Sequence, residues 1–485
     1  MLSRFTIIAA GVAALLTSSA ASAQKLELDF GGAVKADMRF EVDDDVPIER
    51  METWLSGRMS GKYGQHVGGV AKLDFVFVHK PNAKTFEGLS DRQALDPFRI
   101  ESSALFVEFK DVGIDGLDIR MGRQQVIWGA ADRFHPTSNL NALDLEDSLA
   151  FGDTIANEMV SVRYSPYVFA GDEDEPWFEE LSFELVWVPQ FVPAQLPESG
   201  GLAFTDPNET IRLANHSKLR ALAREFKGFI EAGAEVNWDL RVKQPEFALD
   251  NSMVGFRMAW NLLGVDMSLS YFRGFEDIPR GEKAVVNGNS GSFAAQVDLA
   301  YPQVQVIGAD FATSIPWLDG MGLWAEVGVF FHDDLYLVID GREFSGYENI
   351  PALNTPPVRE HEAGQFVKAV VGVDYTPVPW WYINIQYLHG FIDEFGTDDL
   401  EDYLVAGMDF KMARDKVTLR LFSMIDLTDQ SFVLFPQIIT RPWTGGEITV
   451  GAFLYSGLFG LPTDTKFGSP VAGASTVFTR ATWSF

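Results

Sequence analysis

Much of the chain alternates apolar and polar residues with a period of two. In the clearest stretch Leu26, Leu28 and Phe30 begin an apolar series, with Glu27 and Asp29 between them. Successive side chains of a β-strand point to opposite faces, so such a segment forms a strand with one apolar and one charged face. Beyond its first residues the chain contains no apolar run long enough for a membrane-spanning helix. The pattern therefore predicts an all-β protein.

The alternation predicts about 18 strands, within a range of roughly 16 to 20. Connections after odd-numbered strands are mostly long and those after even-numbered strands mostly short, with 166–180 and 428–429 as exceptions. The predicted strands are 26–40, 52–63, 67–78, 99–110, 116–127, 157–165, 181–189, 251–261, 264–274, 303–314, 321–333, 364–376, 380–392, 401–413, 416–427, 430–440, 446–456 and 474–485.

Strand length and charge together indicate a closed antiparallel transmembrane β-barrel. A soluble β-sandwich would show similar alternation, but strands of about ten residues with ionised residues opposite the apolar face suit a water-filled lumen in a lipid bilayer. Closure also leaves no strand edge unpaired. Since such barrels have short periplasmic turns and long external loops, the connection lengths predict that both termini are periplasmic.

Both ends of the chain are consistent with export to an outer membrane. Residues 1–23 have a basic start, an apolar run and the small-residue site Ala21-Ser22-Ala23, which predicts a signal peptide before a barrel over 24–485. The last strand ends on Trp483 and Phe485 and resembles the C-terminal signal that barrel-assembly machinery recognises in outer-membrane proteins. We therefore expect a Gram-negative outer-membrane location, with outer-membrane lipid and that machinery as partners.

Composition excludes several classes of function. The net charge of -30 argues against nucleic acid as a partner, because phosphates need a basic surface. With no Cys the chain can form neither disulfides nor thiolate-bound metal sites. None of the 7 His residues pairs with another at metal-ligand spacing, and there is no G-x-S-x-G, H-E-x-x-H or phosphate-binding glycine loop. We expect no metal, no cofactor and no enzymatic activity.

The longest connection, 190–250, has a pattern of its own. Its apolar residues from Leu219 to Val236 are spaced by threes and fours, which predicts an amphipathic helix over 208–236, and the start of that segment is basic. Two interpretations remain at this stage. The helix lies on the outer rim of the barrel, or it folds into the lumen and narrows the pore.

One block, 122–165, carries a family resemblance. It contains Gly122-Arg123-Gln124 followed by Trp128-Gly129, and then Asn141-Ala142-Leu143-Asp144. This resembles a porin-like family of outer-membrane barrels of mostly unknown substrate, loosely similar to alginate-export porins, some of which accompany inner-membrane exporters. Ala142 departs from the family pattern, which more often has Pro there. Six residues of this block are candidates for a loop latch or a pore constriction: Arg123, Gln124, Trp128, Asn139, Asn141 and Asp144.

Three functional hypotheses follow. The first is a porin or transport channel for small hydrophilic solutes, in which charge and width select; the acidic excess predicts a cation preference if it lies near the mouth. The second is an outer-membrane partner of an inner-membrane exporter that passes lipid-like or hydrophobic cargo, for which Phe272, Phe330 and Phe422 lie on the lumen side. The third is a plugged structural barrel. Residues expected to line the pore are Asp37, Arg39, Arg58, Lys72, Asp74, Arg120, Arg163, Arg257, Asp310, Glu326, Lys368, Asp374, Asp409 and Arg420.

Overall fold

The computed structural model describes most of the chain that follows the predicted signal peptide. The described residues are 25–42, 47–147, 149, 152–172, 175–197, 232–346, 348, 358–397, 400–460, 465–468 and 474–485. The predicted signal peptide and most of the helix predicted over 208–236 lie outside them; Val236, at its end, belongs to a strand.

Nearly all regular structure in the described residues is β. The strands in chain order are β1 (Leu26–Glu41), β2 (Ile48–Tyr63), β3 (Val67–Val78), β4 (Phe98–Phe109), β5 (Leu117–Gln124), β6 (Asn157–Tyr164), β7 (Ala170–Asp172), β8 (Glu175–Val188), β9 (Glu235–Lys243), β10 (Met253–Leu262), β11 (Val265–Phe275), β12 (Arg280–Asn289), β13 (Ser292–Ala300), β14 (Gln303–Ile315), β15 (Met321–His332), β16 (Leu335–Phe344), β17 (Val358–His361), β18 (Gly364–Val378), β19 (Trp381–His389), β20 (Asp402–Met412), β21 (Val417–Asp426), β22 (Phe432–Thr440), β23 (Gly446–Tyr455) and β24 (Thr476–Ser484). A one-turn helix, α1 (Arg92–Leu95), begins after Asp91, whose side chain accepts a hydrogen bond from the Gln93 amide. Within the described residues no helix is long and apolar enough to cross a membrane.

Eighteen of these strands form one closed antiparallel barrel, as predicted. Its members are β1–β6, β8, β10, β11, β14, β15 and β18–β24, each paired with the next along the chain. The ring closes where β1 pairs with β24, from Ala33 opposite Ser484 to Glu41 opposite Thr476. Every predicted segment overlaps one of these strands, with ends that differ by a few residues; β8 begins six residues earlier than predicted, and its pairing with β10 contains a bulge.

The closing seam includes the C-terminal residue. The amide of Phe485 donates to the carbonyl oxygen of Gly32, and the Gly32 amide donates back, both at 2.9 Å. The Phe485 ring lies over Gly32, where a Cβ would fall 2.8 Å from the ring. Trp483 packs beside it, and both aromatic side chains are exposed on the outer face.

Local turn chemistry explains the short connections. β10 and β11 are joined by Leu263 and Gly264 alone, both with positive φ (55° and 77°). That backbone twist matches the twist of the flanking strands and is the usual solution for a two-residue hairpin.

A second sheet was not predicted. Five strands from three long connections associate in the order β17-β16-β12-β13-β9. The connection 275–302, predicted as a loop, is a β-hairpin of β12 and β13, and both of its edges form parallel pairs with distant segments, β16 and β9. Parallel partners that lie far apart in sequence leave no local signal. Val286, Phe293 and Leu337 are among the side chains this sheet buries.

The two faces of the barrel differ in chemistry. Outward side chains are apolar and exposed, as in Leu28, Phe30 and Phe256. Inward side chains are polar or charged over much of the wall, and buried apolar residues gather toward the ends that carry the long connections. This arrangement positions the candidate site inside the barrel.

Candidate functional site: the barrel interior

All the predicted pore-lining residues lie on the inward face of their strands. Several are buried there: Asp37, Arg39, Asp74, Glu326, Lys368 and Asp409. Arg58, Lys72, Arg163 and Arg420 are exposed to the interior space, and Arg120, Arg257, Asp310 and Asp374 are intermediate. The buried charges need partners, because an unpaired charge away from water is costly. For Arg39 and Glu326 these partners come from one connection.

The connection between β5 and β6, residues 125–156, folds into the lumen; we call it the inward loop. Thr137 of this loop bonds to Glu326 of β15, and Asp147 bonds to Arg39 of β1. β1 and β15 lie nearly opposite each other around the ring. A single loop can reach both only by crossing the interior, so the inward loop constricts the barrel.

The first attachment is the Glu326 anchor. The fully buried Glu326 carboxylate accepts hydrogen bonds from the Ala131 amide (3.2 Å), the Thr137 amide (2.8 Å) and the Thr137 hydroxyl (2.7 Å). His135 Nδ1 lies 3.4 Å from the same carboxylate. The carboxylate occupies the space where Gly129 (φ 102°) would carry a Cβ. Glycine at 129 is therefore required twice, by its backbone angle and by the close approach of the acid.

Opposite it lies the Asp147 anchor. Both Asp147 oxygens accept from the Arg39 guanidinium, at 2.6 and 2.7 Å. Arg39 also bonds Asp37, which in turn accepts from Arg480 at 2.6 Å. Burial disfavours ionisation of Asp147, but the hydrogen bonds and charge of Arg39 and the charge of Arg50 outweigh it and hold its pKa well below the usual range. This anchor is a network of ion pairs.

Packing and amide hydrogen bonds hold the remainder of the loop. The Trp128 ring is 1% exposed and lies against Gly255 of β10, where a Cβ would meet it at 2.6 Å. Its indole N–H donates to Glu184 at 3.1 Å. The Asn141 side chain accepts from the Val126 amide and donates to the Gln124 and Ile155 carbonyls, at 2.7, 3.1 and 2.9 Å.

The other residues singled out in this block have different positions. Asn139 donates to the Pro136 carbonyl within the loop. Asp144 is half-buried, and burial raises its pKa to about 6. Arg123 lies on the opposite face of the sheet from the buried Gln124; it pairs with the exposed Glu158 and donates to the Ser102 carbonyl. Arg123 therefore faces outward and does not line the lumen.

Two further connections reach the interior, and sequence reasoning missed them. Lys466 donates to Glu394 (2.6 Å) and to the hydroxyl of Tyr403 (2.7 Å), which joins residues 465–468 to the connection 390–401. Although burial opposes its charge, Asp393 and Glu394 hold the pKa of Lys466 above its ordinary value. Phe391, Tyr403 and Lys466 form one packed cluster. No sequence signal marks it, because its members come from three separate segments.

The three phenylalanines that suggested hydrophobic cargo differ in their exposure to the barrel interior. Phe272 and Phe330 are 2% and 3% exposed and pack in one core with Trp128 and Leu140 of the inward loop. Phe422 is half-buried. Only Phe422 among the three retains access for a solute.

A cavity of about 690 Å³ lies between β6, β8, β10 and β14. Tyr167 and Phe169 from the connection after β6 line this cavity. Its charged lining residues are Arg163, Glu179, Glu180, Arg257, Asp266 and Asp310. Arg257 lies 3.7 Å from Asp310 and donates to Ser268 at 3.0 Å. The cavity is thus polar on the barrel wall and aromatic on the side of the connection.

No protein-family model and no curated protein matches this sequence. Among solved structures, Salmonella typhi OmpF in complex with daunomycin is similar with a TM-score of 0.39 and 11% identity, over 94% of this chain and 97% of that one. A mutant of the Rh. blastica porin has a TM-score of 0.36 and 10% identity, over 95% of this chain and 100% of that one. At such scores the closed strand register, and not these likenesses, is the basis for the barrel.

Proposed function

We propose that this chain is an outer-membrane channel through which small solutes diffuse, in the envelope of a Gram-negative bacterium. One observation carries the proposal. A closed ring of strands presents apolar side chains outward and charged side chains inward. Among sheets that cross lipid, only a closed barrel gives every backbone N–H and C=O group of its strands a hydrogen-bond partner. An inner face of ionised residues requires water.

The inward loop would set the width and charge of the passage. It occupies part of the lumen and joins opposite walls through the Glu326 and Asp147 anchors. In a narrow aqueous passage, fixed charges and diameter decide which solutes pass. Selection would therefore depend on the inward charges that the loop leaves exposed.

Export and assembly belong to the same proposal. The predicted signal peptide would direct the chain across the inner membrane, and the last strand would engage barrel-assembly machinery. The seam between Phe485 and Gly32 supports this role for the C-terminus, because β24 must pair with β1 to close the ring. Both termini would face the periplasm, since the short connections lie at their end of the barrel.

The test is conductance of the refolded mature chain, residues 24–485, in a planar bilayer. Steady unitary conductance in symmetric KCl is the expected result. Folding would be checked independently by gel electrophoresis in SDS, in which a folded barrel migrates differently before and after heating. A folded protein that leaves the bilayer silent would contradict the channel and favour the plugged structural barrel.

The exporter-partner hypothesis has less support. It needs an apolar surface that cargo can reach inside the barrel. Of the three phenylalanines that suggested it, Phe272 and Phe330 are covered by the inward loop and only Phe422 is half-buried. Binding of a hydrophobic dye by the folded barrel, displaced by fatty acid, would be required to favour it over a channel for hydrophilic solutes.

A further inference from the structure

A series of cations follows one inner wall of the barrel. Arg480 of β24, Lys35 of β1, and Arg58 and Lys72 of β2 and β3 form what we call the basic ladder. Arg480 lies opposite Asp37, two residues along β1 from Lys35. Arg58 is directly opposite Lys72 in the register, farther from the ends that carry the long connections. The ladder therefore descends along the lumen from the level of the Asp147 anchor.

The carboxylates in the middle of the same wall are buried and already engaged. Asp37 bonds Arg39 and Arg480, Glu52 accepts from Arg99, and Asp74 accepts from the Ser56 hydroxyl. Each of these three acids is less than 9% exposed. These three acids consequently offer little charge to a passing solute, whereas Glu27 and Asp29 are exposed on the same face nearer the start of β1.

Unlike these three acids, two cations of the basic ladder are accessible from the lumen. Arg58 and Lys72 are exposed on the inward face, and within the described residues neither has an ion-pair partner. Lys35 is half-buried with its ammonium 3.7 Å from the centre of the Trp54 ring. Like charges directly opposite on neighbouring strands destabilise a sheet. An anion between Arg58 and Lys72 would remove that repulsion.

Beside the ladder the inner wall is aromatic. Phe422, Phe435, Phe453 and Phe478 form an aromatic strip across β21 to β24. The Phe435 ring lies 5.4 Å from that of Phe453 and 5.8 Å from that of Phe478. Phe478 is two residues from Arg480 on the same face of β24, while Phe422, Phe435 and Phe453 are half-buried. An apolar surface thus adjoins the upper end of the basic ladder.

We propose that the channel binds and passes organic anions, carboxylates with an apolar or aromatic body. This deepens the proposed channel function and rests on it. The carboxylate pairs with the guanidinium or ammonium groups of the basic ladder, and Arg in particular matches carboxylate geometry. The apolar body packs on the aromatic strip, where aromatic contacts have a preferred geometry. The inference departs from the cation preference expected from the net charge of -30, because distant charges are screened within about 10 Å at ordinary salt.

The experiment compares ion selectivity and block in planar bilayers. Wild-type protein in a KCl gradient is expected to give an anion-favouring reversal potential. The double variant Arg58→Gln, Lys72→Gln should lower the anion-to-cation permeability ratio about fivefold. Benzoate should block the current at concentrations at which acetate and benzyl alcohol do not. Phe435→Ala with Phe453→Ala should abolish the benzoate advantage over acetate.

The matched control is Arg241→Gln with Lys243→Gln. It removes the same two charges from β9 of the second sheet, outside the barrel. Selectivity and block should equal those of the wild type. A cation-favouring current that Arg58→Gln, Lys72→Gln leaves unchanged would overturn the basic ladder, and equal block by acetate and benzoate would overturn the aromatic component.

Calorimetric titration of benzoate into the folded barrel in detergent separates this inference from the channel proposal. A silent bilayer contradicts the channel alone. Benzoate-binding heat that is present in wild-type protein and lost in Arg58→Gln, Lys72→Gln supports the organic-anion site even if the bilayer is silent. Absence of benzoate binding to wild-type protein overturns it.

Discussion

The two anchors of the inward loop attach it to opposite walls by different chemistry. At the Glu326 anchor one buried carboxylate accepts hydrogen bonds from two backbone amides and a hydroxyl. At the Asp147 anchor a carboxylate pairs with a buried arginine inside a network of charges. Hydrogen bonds from backbone amides require one loop conformation, whereas ion pairs tolerate small displacements and depend on pH and salt. The Glu326 anchor therefore defines the loop's shape, and the Asp147 anchor controls how firmly its far end is held.

Removing the Glu326 carboxylate should have the largest effect. Glu326→Ala leaves the Ala131 and Thr137 amides without their acceptor, and we expect docking of the inward loop to weaken by about 3–5 kcal/mol. Trypsin cleavage after Arg133 should accelerate strongly, and the channel should become wider and noisier. Asp310→Asn is the control, because Asp310 lies opposite Glu326 on β14 but bonds Ser268 and Arg257. Equal cleavage rates in the two variants would refute the anchor.

Gly129→Ala should be the next most disruptive change. The new methyl group would overlap the Glu326 carboxylate and also impose strain at φ 102°. We expect a cost of about 2–4 kcal/mol in thermal unfolding. Gly346→Ala separates the two causes, since Gly346 has φ 86° with no atom within 4 Å of the added methyl. If both variants lose the same stability, backbone strain alone is responsible.

Asp147→Asn should have a smaller effect, because Arg39 keeps its bonds to Asp37. We expect about 1–3 kcal/mol of weaker loop docking. In wild-type protein 1 M salt should also increase trypsin cleavage after Arg133, and Asp147→Asn should lose most of that salt dependence. Salt dependence retained in the variant would show that other charges hold this end of the loop.

The smallest expected effect is a pH dependence between about 4 and 6. Because burial raises the pKa of Asp144 to about 6, the docked loop binds this proton more tightly than the free loop. Docking should therefore strengthen as pH falls through 6 and level off near 4. The pKa of Asp147 is lowered, so its contribution is complete above about 4 and adds no change in this window. Open-channel noise recorded against pH should vary less in Asp144→Asn than in wild-type protein and keep its full pH dependence in Asp147→Asn.

The sequence predicted the wall of the barrel but only part of what lies inside it. The alternation beginning at Leu26 identified β1, and the same signal identified the other barrel strands. Gln124, Trp128 and Asn141 were singled out as a latch or constriction, and the structure buries Gln124 at the end of β5 and Trp128 and Asn141 in the inward loop. The wall residues that anchor the loop were not predictable as such, because Glu326 and Arg39 are inward charges like many others. Nothing in the local pattern distinguishes an anchor from a pore-lining charge.

The second sheet and the contacts of Lys466 show the same limit more strongly. β12 and β13 form a hairpin that turns at Ser290 and Gly291, yet their parallel partners β16 and β9 come from other connections. Lys466, Glu394 and Tyr403 meet from three segments. Such associations follow from how the long connections share the space above and inside one barrel end.

The sequence by itself determined the number of barrel strands, their faces and the turns between them. The physical reason is that a strand between lipid and water needs side chains of alternating polarity, and this requirement is met residue by residue. The tertiary structure alone decided which connection enters the lumen, which inward acids are buried by pairing and which cations stay exposed. These outcomes depend on residues brought together across the barrel, as Asp147 is with Arg39 and Thr137 with Glu326. The accessible charge of the lumen is therefore set by tertiary pairing and not by the net charge of the chain.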